Sequence, residues 1–257
     1  MGTLGRLLFA LWSFLWAVLT TTIHSILYII AFAARSPAFA LWVERSYYGS
    51  LLGGLGMKLR VSGRERIPEG ESFVAMGNHR SYLDIPALVL ALYPVPVVFV
   101  AKKELTRIPF LGWAIAYSHH IVVDRGNREQ AVSALKEAMA KIKKGIALGV
   151  FPEGTRATTR SLLPFKKGGF YVAVDAGLPI LPVSINNSDC VFGKKSGLPR
   201  PGEIRLSIHP IVRPASQERT EIPALVATVR RIIESGLDPA SGKEESGAGQ
   251  PVRGPTL

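Results

Sequence analysis

Short apolar runs alternate with longer amphipathic runs from Met57 onward. Several apolar runs have the length and the flanking turn residues that are typical of strands, namely 57–62, 73–76, 97–100, 121–123, 146–151, 180–185 and 204–211. The segments 128–144 and 222–235 repeat their apolar residues at helical spacing, and each is followed by a glycine. Strands that alternate with helices favour an α/β domain, so the pattern predicts a central, mostly parallel mixed sheet flanked by helices.

The predicted strand 180–185 contains Pro182, which has no N–H to donate to a neighbouring strand. Within sheets, proline is found mainly on edge strands and at bulges. We therefore predict that this strand lies at an edge of the sheet or carries a bulge.

The N-terminal segment 7–34 contains no Asp, Glu, Lys or Arg and is rich in Leu, Ile, Phe and Trp. About 20 apolar residues span a bilayer core, so this segment is long enough, and it is too long for the core of a signal peptide. It predicts a membrane anchor, either as one spanning helix or, with the apolar patch 37–43, as a helix pair in one leaflet and the interface. A buried helix of a soluble protein is the alternative.

Composition divides the chain into three predicted parts. Residues 1–48 form the membrane-anchoring segment, and residues 49–236 form the α/β domain. The tail 237–257 is rich in Gly, Pro, Ser and Glu and has almost no large apolar residues. Such a segment cannot bury enough apolar surface to fold, so we predict that the tail is disordered.

The chain of 257 residues carries a formal net charge of +12. An excess of positive charge of this size suits binding to nucleic acid, to an anionic membrane surface or to anionic substrates. No basic stripe interleaved with aromatic residues and no known binding motif supports nucleic acid, and the apolar N-terminal segment argues against it. The single Cys190 excludes an internal disulfide and a metal site built from several cysteines.

His79 and Asp84 follow the predicted strand 73–76 and precede the apolar run 87–92, which predicts a helix. On a regular helix, side chains five residues apart point about 140° apart, whereas in a strand-to-helix loop they can meet. An aspartate bound to one imidazole nitrogen fixes the tautomer and leaves the other nitrogen free to accept a proton. The alternative is that Asp84 only caps the helix and that His79 is a structural loop residue.

A second polar stretch, Phe-Pro-Glu-Gly-Thr-Arg at 151–156, also follows a predicted strand. Gly154 permits a positive φ or a close approach of the backbone, and Glu153 can support the loop. Thr155 and Arg156 offer hydrogen-bond donors, and arginine is suited to bidentate binding of phosphate. An ordinary polar turn after a strand is the alternative.

Further cationic side chains follow two other predicted strands: Arg125 comes after 121–123, and Lys102 and Lys103 come after 97–100. Ligands of open α/β sheets gather at the carboxyl ends of the strands. If these ends lie on one side of the sheet, the histidine–aspartate pair and the cations form a basic pocket beside a base. Such a pocket suits a phosphate-bearing substrate that must lose a proton. Each cation taken alone is more simply a solvated surface charge.

Several of these stretches, in this order and spacing, resemble the glycerolipid acyltransferases. Residues 78–84 match the NHxxxxD motif of that superfamily, and residues 151–156 are identical to the FPEGTR motif of its 1-acylglycerol-3-phosphate acyltransferase branch. Further similarity to that branch lies at 102–112, 121–125 and 181–185. The resemblance covers about 63–186 and implies the fold of that family. It also agrees with the apolar N-terminal segment, since the family is membrane-bound.

The resemblance implies transfer of an acyl chain from a thioester of coenzyme A or acyl carrier protein to the sn-2 hydroxyl of 1-acylglycerol 3-phosphate, giving phosphatidate. It implies that His79 is the general base on that hydroxyl and that Asp84 orients it. The residues implied at the acceptor phosphate are Arg125, Arg156, one of Lys102 or Lys103, and Glu153, Gly154 and Thr155, which shape the subsite. No metal, no cofactor and no covalent acyl-enzyme are implied.

Alternatives of two kinds stay open. Within the superfamily, the same chemistry can act on another acceptor, such as a lyso-ornithine lipid, lysophosphatidylinositol or glycerol 3-phosphate. From other classes, the alternative is a non-catalytic basic protein that binds membranes or nucleic acid. The resemblance implies a place at the cytoplasmic membrane among membrane lipids, with the catalytic domain on the cytosolic face.

Overall fold

The computed structural model describes residues 3–108, 112, 115, 120–123, 145–159, 161–194 and 198–239. The described strands are β1 (Met57–Ser62), β2 (Phe73–Gly77), β3 (Val97–Lys102), β4 (Ile121–Val123), β5 (Ala147–Val150), β6 (Ile180–Asn186) and β7 (Gly202–Ile208). The described α-helices, numbered in chain order, are α1 (Thr3–Ala33), α2 (Pro37–Gly54), α3 (Asp84–Leu92), α4 (Gly168–Asp175), α5 (Ser188–Phe192) and α6 (Ile222–Ser235). The predicted helix 128–144 and the tail from 240 onward lie outside the described residues.

The strands form one mixed sheet in the order β1-β7-β6-β2-β5-β3-β4. Every described pair of neighbours is parallel except β6 with β7, so the predicted mostly parallel sheet is confirmed. Because β2, β5, β3 and β4 are parallel neighbours, their carboxyl ends lie at the same edge of the sheet. The polar stretches that the sequence places after these strands therefore leave the sheet on one side.

The prediction for the strand with Pro182 allowed an edge or a bulge, and the edge is wrong, because β6 runs between β2 and β7. The bulge is present: Val183 pairs with Ile208 and Ile180 pairs with Val212, so 181–182 lie opposite the three residues 209–211. Its antiparallel ladder with β7 covers only Val183–Asn186, so Pro182 lies just before the first paired residue. The β7 strand has already ended at Ile208, and Pro182 still accepts a hydrogen bond through its carbonyl from the N–H of His209 at 3.0 Å. Proline is tolerated here because the missing N–H falls at the bulge, before the pairing resumes between Ile180 and Val212.

Two apolar cores cover the two faces of the sheet. Along β2, Phe73 and Ala75 pack into one core with α3, whereas Val74 and Met76 pack into the other with α4 and α6. This alternation follows from the strand geometry, in which successive side chains point to opposite faces. All of β2 is buried, and this is typical of a strand in the middle of a parallel sheet.

Helix α6 has the bounds that its apolar spacing predicts. Ile222, Leu225, Val229 and Ile233 are buried and recur every three or four residues, so they form one face toward the sheet. Pro223 lies in the first turn, where its missing N–H has no helical partner to lose, and Gly236 follows the last residue.

Helices α1 and α2 form an antiparallel pair. The indole N–H of Trp12 donates to the carbonyl of Gly54, and that of Trp16 donates to the carbonyl of Ser50, both at 2.8 Å. At the turn between the helices, the side chain of Ser36 caps α2 by accepting the N–H of Phe39. Among the described helices, α1 is the one that is long and apolar enough to cross a membrane, by length and composition. Much of its apolar surface is exposed.

Candidate active site

The histidine and the aspartate of the motif meet in the loop after β2. Nδ1 of His79 lies 2.8 Å from Oδ2 of Asp84, which is the first residue of α3. The same Oδ2 accepts the backbone N–H groups of Arg80 and Ser81, each at 2.7 Å. An oxygen that accepts two backbone donors is an acceptor for the imidazole as well, so Nδ1 carries a proton. Nε2 of the neutral ring therefore keeps its lone pair and can take a proton from a bound hydroxyl.

Two side chains of the same loop attach it to the rest of the domain. The amide of Asn78 donates to the carbonyl of Ile185 at 2.8 Å and accepts the N–H of Ile185 at 2.7 Å, which ties the loop to β6. The hydroxyl of Ser81 donates to the carbonyl of Phe192 at the end of α5, at 2.6 Å. Asp84 is fully buried, whereas the side chain of His79 is 16% exposed, so the pair is rigidly held and open only at the imidazole.

Glu153, in the loop after β5, binds the backbone of the loop after β2 and so joins the two motif loops. Its Oε1 accepts the backbone N–H of His79 at 2.8 Å, and its Oε2 accepts the N–H of Leu163 at 2.9 Å. In return, the carbonyl of His79 accepts the N–H of Ala157 at 2.8 Å. Burial raises the pKa of the Glu153 carboxyl, and the two backbone donors oppose that shift. The carboxylate faces the backbone, and Glu153 does not line the cavity described below.

Phe151 supports the imidazole of His79, a contact that the sequence pattern does not predict. The two rings are stacked, with centroids 4.2 Å apart and planes 16° apart. Phe99 of β3 also stacks with Phe151, with centroids 6.2 Å apart. Phe151 opens the FPEGTR stretch directly after β5, and the parallel pairing of β5 with β2 brings it beside the base. Its place in that motif was the only signal available in the sequence.

The turn after Phe151 presents Arg156 to the same region. Gly154 has a φ of +69°, a conformation that glycine adopts without strain. Thr155 is exposed, and the guanidinium carbon of Arg156 lies 3.4 Å from the centroid of the Tyr82 ring. Tyr82 belongs to the histidine loop, so this contact also joins the two motifs. The sequence alone does not predict this contact, because nothing in either motif indicates which residues face each other.

The structure describes the other predicted cationic side chains only in part. Lys103 is exposed at the start of a short 3₁₀ helix, Lys103–Arg107, and is not among the residues that line the cavity. Lys102 is the last residue of β3, so its backbone reaches the predicted edge of the sheet. The side chain of Lys102 and the whole of Arg125 lie outside the described part of the chain.

A cavity of about 1380 Å³ connects the motif loops with the helix pair. Its described lining includes His79, Phe151 and Arg156 from the loops, and Tyr28 and Glu44 from α1 and α2. Ordinary ligand pockets measure about 300–1,000 Å³, so this cavity has room for a long ligand. Within the described ranges, no group of three or more His, Cys, Asp or Glu side chains could hold a metal ion.

Comparison with known proteins gives the family. An acyltransferase family model matches residues 58–186, which include both motif loops. A 1-acyl-sn-glycerol-3-phosphate acyltransferase from Limnanthes douglasii is 33% identical over 202 residues, covering 76% of this chain and 70% of that protein. The chain belongs to the 1-acyl-sn-glycerol-3-phosphate acyltransferase family. The resemblance stated from the motifs is thereby confirmed.

Two further proteins are similar to this acyltransferase. A 1-acyl-sn-glycerol-3-phosphate acyltransferase from Saccharomyces cerevisiae is 37% identical over 163 residues, which are 62% of this chain and 53% of the yeast protein. The chain therefore spans about half the length of that relative. The crystal structure of PlsC from Thermotoga maritima, a 1-acyl-sn-glycerophosphate acyltransferase, superimposes with a TM-score of 0.77 at 29% identity, covering 91% of this chain and 97% of PlsC. The predicted fold class is confirmed by this likeness.

Proposed function

We propose that this acyltransferase moves an acyl chain from a thioester to the sn-2 hydroxyl of 1-acylglycerol 3-phosphate, with His79 as the general base. The observation that carries the proposal is the histidine–aspartate pair, whose histidine bonds Asp84 through Nδ1 and lines the same cavity as Arg156. The co-substrate is acyl-CoA or acyl-ACP, and the reaction needs no cofactor and no metal. The names of the relatives support the lysophosphatidate acceptor.

In the proposed reaction, Nε2 of His79 takes the hydroxyl proton while the oxygen attacks the thioester carbonyl. The tetrahedral intermediate then expels the thiolate. The thiolate accepts the proton that the imidazolium holds and leaves as the thiol. Asp84 stabilises the imidazolium and holds the ring in the reactive tautomer. General-base assistance of this kind typically accounts for about 10² to 10⁴ of the rate, and correct positioning of the two substrates adds to it.

The acceptor phosphate binds at the loop after β5. Arg156 supplies the planar, charged fork that phosphate oxygens accept in pairs, and Arg125 with one of Lys102 or Lys103 adds positive charge. Gly154 and Thr155 form the turn that presents Arg156. Because its carboxylate is buried against backbone N–H groups, Glu153 acts on this subsite through the loop and not through the substrate.

The helix pair is the membrane anchor, and we favour the arrangement in one leaflet over a single spanning helix. The guanidinium of Arg45 in α2 lies 4.5 Å from the ring centroid of Tyr93, which follows α3. The second half of α2 therefore runs beside the catalytic domain, and α1 is bonded to that half through Trp12 and Trp16. The exposed apolar residues of α1 face lipid, and the net charge of +12 suits an anionic cytosolic surface.

The decisive experiment compares an acceptor that has a phosphate with one that lacks it. We expect Arg156→Ala to raise KM for lysophosphatidate, to lower kcat where the contact tightens in the transition state, and to leave the donor KM nearly unchanged. Wild type should use monoacylglycerol poorly, and Arg156→Ala should lose little further activity on it. The matched control is Arg231→Ala, an exposed arginine of α6 that does not line the cavity.

Two results would contradict the proposal. An equal loss on both acceptors would place Arg156 in the loop structure or at the donor. A panel that includes lyso-ornithine lipid, lysophosphatidylinositol and glycerol 3-phosphate, tested with acyl-CoA and acyl-ACP, would reject lysophosphatidate if another acceptor gave a higher kcat/KM.

A further inference from the structure

Tyr82 is part of the histidine loop but takes no part in the contacts of His79 and Asp84. The residue is 60% exposed, and its ring tilts against Phe192 with centroids 5.9 Å apart. The guanidinium carbon of Arg156 lies 3.4 Å from the centroid of this ring, within the distance at which a cation is attracted to an aromatic face. Tyr82 and Arg156 both line the cavity that His79 enters.

We infer that Tyr82 is a positioning residue for Arg156, and that it aims the guanidinium at the acceptor phosphate. This inference rests on the proposed function, since it concerns the same phosphate subsite. The five N–H donors of a guanidinium lie in its plane, whereas an aromatic ring contacts its face. Tyr82 therefore holds Arg156 without occupying any of the donors that a phosphate needs.

The other ways of holding Arg156 are not used in the described part of the chain. Neither a hydrogen bond nor an ion pair from Arg156 is found among those residues, and its ring contact is with Tyr82. A carboxylate partner would fix the side chain equally well, but it would neutralise the charge and compete with the phosphate. A ring face orients the group and leaves its charge available.

The contact also fixes the distance between the base and the phosphate subsite. Tyr82 lies between Ser81, which is bonded to Phe192, and Asp84, which is bonded to His79. An arginine that rests on Tyr82 is therefore positioned relative to the loop that carries the base. A lysophosphatidate whose phosphate is bound there presents its free hydroxyl at a fixed place, and near-attack geometry of this kind is a major source of rate.

The test uses the full-length enzyme with Tyr82→Phe and Tyr82→Leu. Tyr82→Phe keeps the ring face and should behave like wild type. Tyr82→Leu keeps an apolar contact for Phe192 but has no ring, and we expect KM for lysophosphatidate to rise about 3- to 30-fold, the range that a cation–π contact corresponds to. The donor KM and the low activity on monoacylglycerol should be unchanged. In an Arg156→Ala background, Tyr82→Leu should have no further effect.

The outcomes separate this inference from the proposed function. If Arg156→Ala is selective for the phosphate-bearing acceptor but Tyr82→Leu is not, or if the two substitutions are additive, the positioning role is wrong and the subsite stands. If Tyr82→Leu loses activity equally on both acceptors, the ring serves the loop and the inference fails. If Tyr82→Phe raises KM for lysophosphatidate as much as Tyr82→Leu does, the hydroxyl and not the ring face positions Arg156, and the inference fails. If wild type prefers an acceptor without phosphate, both proposals fall.

Discussion

The carboxylate of Glu153 accepts the backbone N–H of His79 over 2.8 Å, so the loop after β5 holds the loop after β2 at the residue that carries the proposed base. The second oxygen of the carboxylate accepts the N–H of Leu163. Both donors are satisfied only while the side chain offers two acceptors. Glu153 thus links the two motifs through the backbone, which explains its burial without any contact to substrate.

Glu153→Gln should disrupt this link although it preserves the shape of the side chain. An amide has one oxygen and one NH₂ group, so one of the two backbone N–H groups loses its acceptor and faces another donor. We expect a loss of stability of about 1–3 kcal/mol, the cost of a buried unsatisfied group, and a clear fall in kcat. Thermal unfolding in detergent and steady-state kinetics measure the two effects. The exposed Glu234→Gln on α6 is the control, and equal behaviour of the two variants would contradict the assignment.

His79→Ala should abolish acyl transfer while the protein stays folded and membrane-bound. The ring that would accept the hydroxyl proton is then missing, whereas the contacts of Asp84 to the backbone of Arg80 and Ser81 remain. Asp84→Asn should also be severe, because an amide does not stabilise an imidazolium as a carboxylate does. His209→Gln changes a histidine outside the cavity and serves as the control. Near-normal turnover by purified His79→Ala would end the general-base proposal.

Much of the fold follows from local pattern, because burial on one or both faces dictates which positions are apolar. The bounds of β1, β4 and α6 agree with the periodicity, and the other strand ends shift by up to three residues. The strand β7 ends early, at Ile208, since Pro210 cannot continue a ladder. The edge position expected for β6 was wrong because the order of strands is not a local property. A proline excludes one hydrogen bond, and it does not exclude a central strand whose neighbour bulges at that point.

The polar groups of the site could be predicted because each follows a strand and each strand was recognisable. Their mutual contacts could not, since they join loops that lie far apart in the chain. The stacking of Phe151 on His79 and of Arg156 on Tyr82 depends on β5 lying beside β2, which only the assembled sheet establishes. The roles assigned to the site residues, those of His79, Asp84 and Arg156 included, stay predictions.

The turn between α1 and α2 distinguishes the two membrane arrangements. We expect a cysteine at Ala34, an exposed position, to stay unlabelled by an impermeant maleimide added from the far side of sealed membranes. A helix pair in one leaflet keeps this turn away from the opposite surface, whereas a spanning α1 delivers it there. The variant is made in a Cys190→Ser background, because Cys190 is exposed in the catalytic domain. Wild-type Cys190 then serves as the reference for the side on which the catalytic domain lies, and labelling of Ala34→Cys from the opposite side would contradict the arrangement.

We predict that His209 makes the stability of the domain depend on pH. The hydroxyl of Ser184 donates its one proton to the carbonyl of Ile233 at 2.6 Å, so it accepts the N–H at Nε2 of His209 at 2.8 Å. The hydrogen bond from Ser184 to Ile233 ties the last turn of α6 to β6. Burial lowers the pKa of His209 below its ordinary value of 6.5, and the positive charge of Arg66 lowers it further.

Because its folded pKa is depressed, His209 binds fewer protons in the folded state than in the unfolded state. Its contribution is fully present above the unfolded pKa of about 6.5 and is lost as the pH falls through the lower folded pKa. We therefore expect the urea midpoint in detergent to fall between about pH 7 and pH 5, the range in which histidine titrates. His209→Gln keeps a donor for Ser184 and removes the titration, so its midpoint should fall less over this range. If wild type and His209→Gln lose stability in parallel, the acid sensitivity belongs to other groups.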